Sequence, residues 1–539
     1  MLFPLFFDNY CYMLRHIIGY TISAVLILGV VILLRYPLSI HPTAIPLDPN
    51  FPLHALASWD LTEQGTLYNN MHLEWPSGAP VRYLAGTLLG IAYVCNLYLD
   101  PIPAFNIATL LWMWIQGFGI FCILQHLTQK KMSHSLCGAI LCLVSPQALL
   151  ALSNGQFENF SPFFLLLTGW SVHHKKYSIT LIALLCCGFS SPYMAILAFL
   201  LTIIMEHKNI MVWGNIAITA TAIWWYYHPI TDKMVHESVM PAPPSMGERA
   251  TPFGLFFPEN IAENGGNSWA HPIERWHNIF TSISTETFAE TWYWLMPTAS
   301  NFLGYSWIFF GIYGLWTNRH NPFIRKLIIW GAICTLISFG HHIDFGIFTI
   351  PNVWMFSEFL PGVSNMQATY RFLVGPSIAL TLGIVYLYHK HIVWITLVAI
   401  VEALFVTPAY WPIPSKYPEI HKEIAHIQEP FIFWPAPPII SSYKVTILSL
   451  LLEQPIALYE EQTASMPNPD GSFQKIGQNT NRHGLSVQEW LDQVQAQKVN
   501  EVIQYRLFTL DHKLPFSIHN RKCGEVYCTS IIKSTTQIK

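Results

Sequence analysis

About eleven apolar runs, most of them separated by a few residues, fill residues 16–406 and leave few folds open to this chain. The first is "HIIGYTISAVLILGVVILLRYP", starting at His16. The others are roughly 104–126, 136–153, 160–172, 177–189, 193–206, 210–227, 295–316, 327–340, 372–388 and 392–406. Only 11% of the 539 residues are charged, against about 25% in soluble domains. A chain so poor in charge over this length has lipid as its main solvent. No small-residue cleavage site follows the first run, so it reads as a retained helix and not a removed signal.

The turns between runs carry the sidedness. "QKKMSHS" (129–135), "HHKK" (173–176), "HKN" (207–209), "NRHNPFIRK" (318–326) and "HKH" (389–391) are all basic, and none contains Asp or Glu. With a cytoplasmic N-terminus they all fall on the cytoplasmic side, as positive-inside sorting requires. The agreement needs one run left out. "YLAGTLLGIAYVCNLYL" (83–99) would move Lys130 and Lys131 outside if it spanned, so it reads as an interfacial or re-entrant helix. Asp100-Pro101-Ile102-Pro103 then turns the chain into the next span.

The expected fold is mostly α: a polytopic transmembrane bundle of about eleven spans (1–410) with a small extracytoplasmic α/β domain (411–539). External loops are expected at 35–103, 228–294 and 341–371. In the tail, "EIHKEIAHIQ" (419–428) and "SVQEWLDQVQAQKV" (486–499) read as helices. "PFIFWPAPP" (430–438), "YKVTILSLLL" (443–452), "NEVIQYRLF" (500–508) and "EVYCTSIIK" (525–533) read as strands. Cys523 and Cys528 lie about 16 Å apart on one extended strand, so a bridge between them requires a turn at Gly524. The other cysteines show no zinc-ligand spacing. The net charge of −3, with no basic run, gives no support to a nucleic-acid partner.

Polar residues concentrate in a few external stretches. "IPLDPNFPLHALASWDL" (45–61) places Asp48 before a helix that Asn50 and Pro52 start and Gly65 ends. Asp60 follows Leu53, Leu56 and Ala57 by seven, four and three residues, inside the apolar stripe. A carboxylate there costs several kcal/mol unless paired or protonated, which suits a structural anchor. Asp48 faces the positive end of the helix and stays ionised, as a base must be; a plain capping role fits it too. His54 falls off the stripe, at an interfacial position. "LSNGQFENFSP" (152–162) offers Asn154, Gln156, Glu158 and Asn159, either as a hairpin turn or as a rim for hydroxyl or phosphate ligands. Arg371, at the outer mouth of a late span, is either a snorkelling anchor or a phosphate ligand. His341, His342 and Asp344 lack a further ligand at good spacing, so no metal site is assigned. The aromatic stretches at 269–280 and 288–295 fit an interfacial belt or a sugar-stacking surface.

The order of these features resembles the GT-C glycosyltransferases, polytopic enzymes that use polyprenyl-phosphate sugars, and is nearest to bacterial members with a C-terminal extracytoplasmic domain. The resemblance rests on Asp48 followed by "FPLHALASW" and "WPSGAP" (75–80), on "VSPQALLALSNGQ" (144–156), and on "LPGVSNMQATYRF" (360–372). It covers most of residues 17–410 and departs from several branches in lacking Asp-x-Asp or Glu-x-Asp, since Pro49 and Asn50 follow Asp48. No cofactor is therefore implied, and a divalent metal is left open. The resemblance implies an integral protein of a bacterial plasma membrane that inverts a sugar's anomeric carbon on the outer face. Asp48 would be the general base. Arg371, His54, Asp60, Asn154, Gln156 and Glu158 would meet the lipid-phosphate donor or the acceptor. Two other classes fit the same pattern. A transporter or flippase of lipid-linked sugars predicts ionisable groups or broken helices midway through spans, and Glu402 is the acidic residue of a late span. A non-catalytic envelope-assembly protein predicts no pocket at Asp48.

Overall fold

The computed structural model describes residues 3–46, 51–65, 69–70, 79–80, 85–128, 131–153, 155–236, 250, 252, 254–256, 302–345, 348–359, 369–387, 391–406, 413, 415–416, 424–433, 442–454, 456–457, 461–467, 473–481, 487–497, 499, 501–505, 518–523 and 527–532. Helices dominate it, and its sheets are small. Helix α1 (Phe3–Leu34) leads to α2 (Phe51–Glu63), α3 (Gly86–Asn96), α4 (Pro101–Thr128), α5 (Met132–Leu143), α6 (Pro146–Ser153), α7 (Pro162–His173), α8 (Tyr177–Ser190), α9 (Pro192–Glu206) and α10 (Ile210–His236). A π-helical turn, Trp307–Gly311, opens α11 (Ile312–Thr317), and α12 (Pro322–Ser338), α13 (Val374–Leu387) and α14 (Ile392–Phe405) complete the bundle.

Among the described residues, three helical stretches are long and apolar enough to cross a membrane: Ile17–Leu34, Pro101–Thr128 and Thr369–Leu387. A fourth is reached if the pair Met132–Leu143 and Pro146–Leu152, bent by 51°, is one span. The expectation of about eleven spans assigned one to each apolar run, and most runs form shorter helices. Their starts explain the lengths. Ser145-Pro146, Ser161-Pro162, Ser191-Pro192 and Asn321-Pro322 each open a helix, since proline lacks an N–H and suits a first turn. Ser191 Oγ accepts from Tyr193 N–H at 3.2 Å, and Asn321 Oδ1 from Phe323 N–H at 2.9 Å. The 14 residues of α8 reach about 21 Å, short of a ~30 Å hydrocarbon core. The 11 residues of α3 reach about 16 Å, so α3 is too short to span as a single helix. Its outer side, with Val94 54% and Tyr98 83% exposed just beyond its end, is apolar-aromatic.

Large apolar side chains cover the outside of the bundle. Val25, Trp225, Phe309, Trp316, Trp394 and Val398 are each more than half exposed. A soluble protein rarely shows so continuous an apolar surface, and a lipid-facing wall accounts for it. Inside, α11 crosses α13 where a Cβ on Gly314 would stand 2.1 Å from Gly383 O. Only glycine permits that approach, which fixes α13 against α11.

The helix ends that flank the basic turns gather at one end, with residues 129–130 and 388–390 outside those described. Tyr386 OH donates to Leu127 O at 3.5 Å, and His173 lies 5.0 Å from the Phe323 ring. Lys326 Nζ donates to Met205 O, and Asn209 to Tyr177 OH. At the opposite end the 338–341 turn, the 156–160 turn and the chain after α1 come together.

The tail forms a five-stranded sheet from β1 (Phe431–Phe433), β2 (Ile456–Ala457), β3 (Glu501–Tyr505), β4 (Ile518–Cys523) and β5 (Tyr527–Ile532), in the order β4-β5-β3-β1-β2. β1 pairs parallel with β2 and β3, and β5 antiparallel with β3 and β4. Helix α15 (Ser442–Leu452) connects β1 to β2, and α16 (Val487–Ala496) precedes β3. Residues 443–452, expected as a strand, are therefore helical. A ten-residue apolar run is ambiguous by pattern, and a parallel crossover needs a helix there; Ile447, Leu448 and Leu450 are buried. The helix expected over 419–428 is a turn at 424–426, its first residues lying outside those described. Cys523 and Cys528 are bridged, facing each other across the β4–β5 hairpin with Cα atoms 4.0 Å apart. The one-strand geometry that would separate them is not adopted.

Candidate functional site at the polar end

The opposite end holds a buried polar cluster. It begins where α1 stops. Arg35 is 1% exposed, and its Nη2 donates to Asn106 Oδ1 on α4 at 3.5 Å. Asn106 Nδ2 in turn donates to Pro42 O at 2.7 Å and Ala44 O at 2.9 Å, so one amide fixes both the guanidinium and the chain leaving α1. The guanidinium carbon stands 5.5 Å from the centroid of Phe157.

Helix α2 contributes His54. It spans Phe51–Glu63, and Gly65 follows it at φ 64°, as its sequence predicts. His54 is 1% exposed, stacked on Phe105 and edge-on to Phe157, each at 6.0 Å. This corrects its expected interfacial position. α2 is covered by α3 and α4 on one side and by α15 of the tail on the other, so nearly its whole circumference is buried. Asp60 is 0% exposed, in keeping with its place in the apolar stripe. Asp48 lies outside the described residues, but its flanks are placed: Ile45 and Pro46 pair with Lys416 and Ser415, and Phe51 is buried.

The third contribution comes from the turn after α6. Gln156, 9% exposed, precedes the 3₁₀ turn Phe157–Asn159, and its Oε1 accepts from Tyr370 OH at 2.9 Å. Arg371, next in sequence, is half-buried in the 3₁₀ turn Thr369–Leu373 with its guanidinium 5.1 Å from the Tyr193 ring centroid. Residues 156–157 are thus held between Arg35 on one side and the Tyr370–Arg371 pair on the other. Asn154 and the side chain of Glu158 lie outside the described residues, as do the aromatic stretches at 269–280 and 288–295.

Arg35, Asn106, Tyr193 and Tyr370 escape the sequence reading. The signal for Arg35 was present: it stands at the end of a span away from the basic turns, the same anomaly that singles out Arg371. Glu402, 8% exposed, has a role the sequence did not suggest. Its carboxylate accepts from the backbone N–H groups of Tyr305 and, at 2.7 Å, Ser306, capping the helix that the π turn continues. Among the described residues, no group of three His, Cys, Asp or Glu side chains is placed to hold a metal ion, and the Asp344 side chain lies outside them.

Chemically, the cluster offers two planar cations with aromatic backing, a buried imidazole and a phenol–amide pair. Guanidinium groups suit bidentate contact with phosphate oxygens. No protein-family model matches the chain, and no curated protein matches its sequence.

Proposed function

We propose that the chain is a membrane glycosyltransferase. It moves a sugar from a polyprenyl-phosphate donor to an acceptor hydroxyl, with inversion, on the extracytoplasmic face. The observation that carries the reading is the pair Arg35 and Arg371, set on aromatic rings at the polar end of an apolar bundle. A lipid phosphate lies at that depth, and its isoprenoid chain can follow the apolar outer wall. The basic turns face the cytoplasm in this reading. The tail domain, bridged at Cys523–Cys528, sits in an oxidising compartment.

The roles follow from position. Arg371, the more accessible arginine, steadies the departing lipid phosphate. Arg35 and Asn106 hold the chain that leads to Asp48. Asp48 removes the acceptor proton as general base. His54 and Asp60 build the wall of α2 behind it. Gln156 keeps Tyr370, and so Arg371, in register. The bent α5–α6 pair and the π turn favour a second reading, a carrier of lipid-linked sugars.

Labelled polyprenyl-phosphate hexose is incubated with purified protein in vesicles and a panel of acceptors. Transfer of label, lowered roughly 10²-fold or more in Asp48→Asn, supports the enzyme. Full transfer by a folded Asp48→Ala protein removes Asp48 as base. Label that crosses the bilayer without reaching an acceptor favours the carrier.

A further inference from the structure

The seam between α4 and α7 is open along its outer side. On α4, Ile115, Gly119, Cys122 and His126 recur at helical spacing on one face. On α7 and its cap, Phe163, Leu167, Trp170 and His174 do the same. Each of these residues is at least partly exposed. The two stripes run side by side. A Cβ on Gly119 would stand 2.5 Å from the Phe163 ring, and seven residues further along both helices His126 lies 5.7 Å from the Trp170 ring. Contact at matched steps means that the helices run parallel here, with Phe163 filling the notch at Gly119 and closing the floor of the seam. Each apolar stripe ends in a histidine, at the end of the bundle where the flanks of the basic turns gather.

Cationic groups surround Trp170 at that end. His174 lies 5.3 Å from its ring, and Lys176 Nζ stands 5.1 Å over it. His173, 5.1 Å from His174, continues the group toward Phe323 of α12, 5.0 Å away. The turn that delivers Lys176 places Lys175 at φ 56°, in the left-handed region that glycine occupies without strain. Lys175 N–H donates to Val172 O at 3.0 Å and Lys176 N–H to Ser171 O at 2.8 Å, which closes α7 in the manner usual for glycine. The backbone thus keeps a lysine where glycine would fit with less strain, and strain of this kind gathers at functional positions. His126, His173, His174, Lys175 and Lys176 are all exposed. Among the described residues, none of them is paired with a carboxylate, and residues 173–176 contain no Asp or Glu. An incoming anion therefore meets them without rearranging the bundle.

We infer that this seam binds an anionic phospholipid, with an acyl chain along the α4–α7 stripes and the phosphodiester at His126, His174 and Lys176. Charge selects the headgroup, since a cation at a bilayer surface favours anionic lipid by roughly fivefold. The ammonium supplies a point charge, and each imidazole supplies an N–H donor to the phosphate oxygens. The lengths agree. Ile115 to His126 spans about 16 Å of helix, close to half of a ~30 Å hydrocarbon core and so to the reach of a chain within its own leaflet. A soluble anion makes no use of the apolar stripes, and a neutral lipid makes none of the cations. The site lies at the opposite end of the bundle from Arg371 and shares no residue with the proposed transfer reaction, so it stands or falls apart from that reading.

Full-length protein in a neutral detergent is titrated with phosphatidylglycerol and with phosphatidylcholine of the same acyl chains, and bound lipid is followed by native mass spectrometry. Wild type is expected to bind phosphatidylglycerol about fivefold or more tightly. The double variant His174→Ala with Lys176→Ala should lose most of that preference and keep its phosphatidylcholine affinity. Lys176→Gln alone, with its thermal midpoint compared, guards against a folding defect. Lys208→Ala, an exposed lysine on another basic turn, should change nothing. Glycerophosphoglycerol, the headgroup without its chains, and inorganic phosphate should not displace the lipid at equal concentration. Equal affinity of wild type for the two lipids overturns the inference. An equal loss in Lys208→Ala overturns it too, since the preference would then belong to the whole basic end. Displacement by either chain-free anion overturns it by making this a site for soluble phosphate. Loss of the preference in Arg371→Ala, with the double variant unchanged, moves the lipid to the polar end and also overturns it.

Discussion

The two ends of the bundle treat charge in opposite ways. At the basic end cations sit on turns in contact with water: Arg319 lies 4.4 Å over the exposed Trp316 ring, and Lys176 5.1 Å over Trp170. At the polar end Arg35 is sealed from solvent and wired through Asn106 into the path of the chain. Solvated cations at a membrane edge orient a protein cheaply. A buried guanidinium costs several kcal/mol unless its surroundings are built for it. A chain that tolerates the expensive arrangement at one end, and the cheap one at the other, marks the expensive end as the one where charge has a task.

The sharpest way to break this contrast is to remove one arginine from each end. Arg35→Met is expected to lower stability by roughly 1.5–3 kcal/mol, the worth of its charged hydrogen bond to Asn106, and Arg319→Ala by less than about 0.5 kcal/mol. Thermal midpoints in detergent measure both, and equal shifts would erase the distinction. Next in size is Glu402→Ala, which strips both acceptors from the Tyr305 and Ser306 amides and costs about 2 kcal/mol. Glu402→Gln should restore part of it. An effect on sugar transport with no loss of stability would point to the carrier reading instead. Asn106→Ala comes third, at about 1–2 kcal/mol, through the Pro42 and Ala44 carbonyls it leaves behind.

The smallest effect concerns pH. Glu453, following α15, has its carboxyl held above the usual range by burial, then by the nearby charges of Asp100 and Glu63. A raised carboxylate binds its proton more tightly in the folded state. Its contribution is therefore favourable at acid pH and is lost as pH rises through the folded pKa. Glu453→Gln should raise the thermal midpoint slightly at pH 7 and leave it unchanged near pH 4. The opposite order would show that this corner is not under like-charge strain.

Much of this contrast was legible in the sequence because it depends on local rules. Pro52 and Gly65 bound α2 within a residue or two, and the helix ends that flank the Lys- and Arg-bearing turns gather at one end, as their alternation implies. The strands at 431–433, 501–505 and 527–532 and the helix at 487–496 follow from alternation and amphipathic spacing. What escaped depends on tertiary cover. His54 lies off the stripe in a helical projection, yet Phe105 of α4 and Phe157 of the 156–160 turn close over it, and α15, some four hundred residues later in the chain, packs on α2 as well. That same packing accompanies the helical form of residues 443–452, whose composition alone is neutral between helix and strand.

The claim that the polar end receives a lipid phosphate is tested most directly by the affinity of the purified protein for farnesyl phosphate. Arg371→Ala and Arg319→Ala are measured against wild type. A rise in Kd of tenfold or more in Arg371→Ala, with Arg319→Ala unchanged, is the predicted result. Weakening in Arg319→Ala alone would place the phosphate at the basic end and contradict the account.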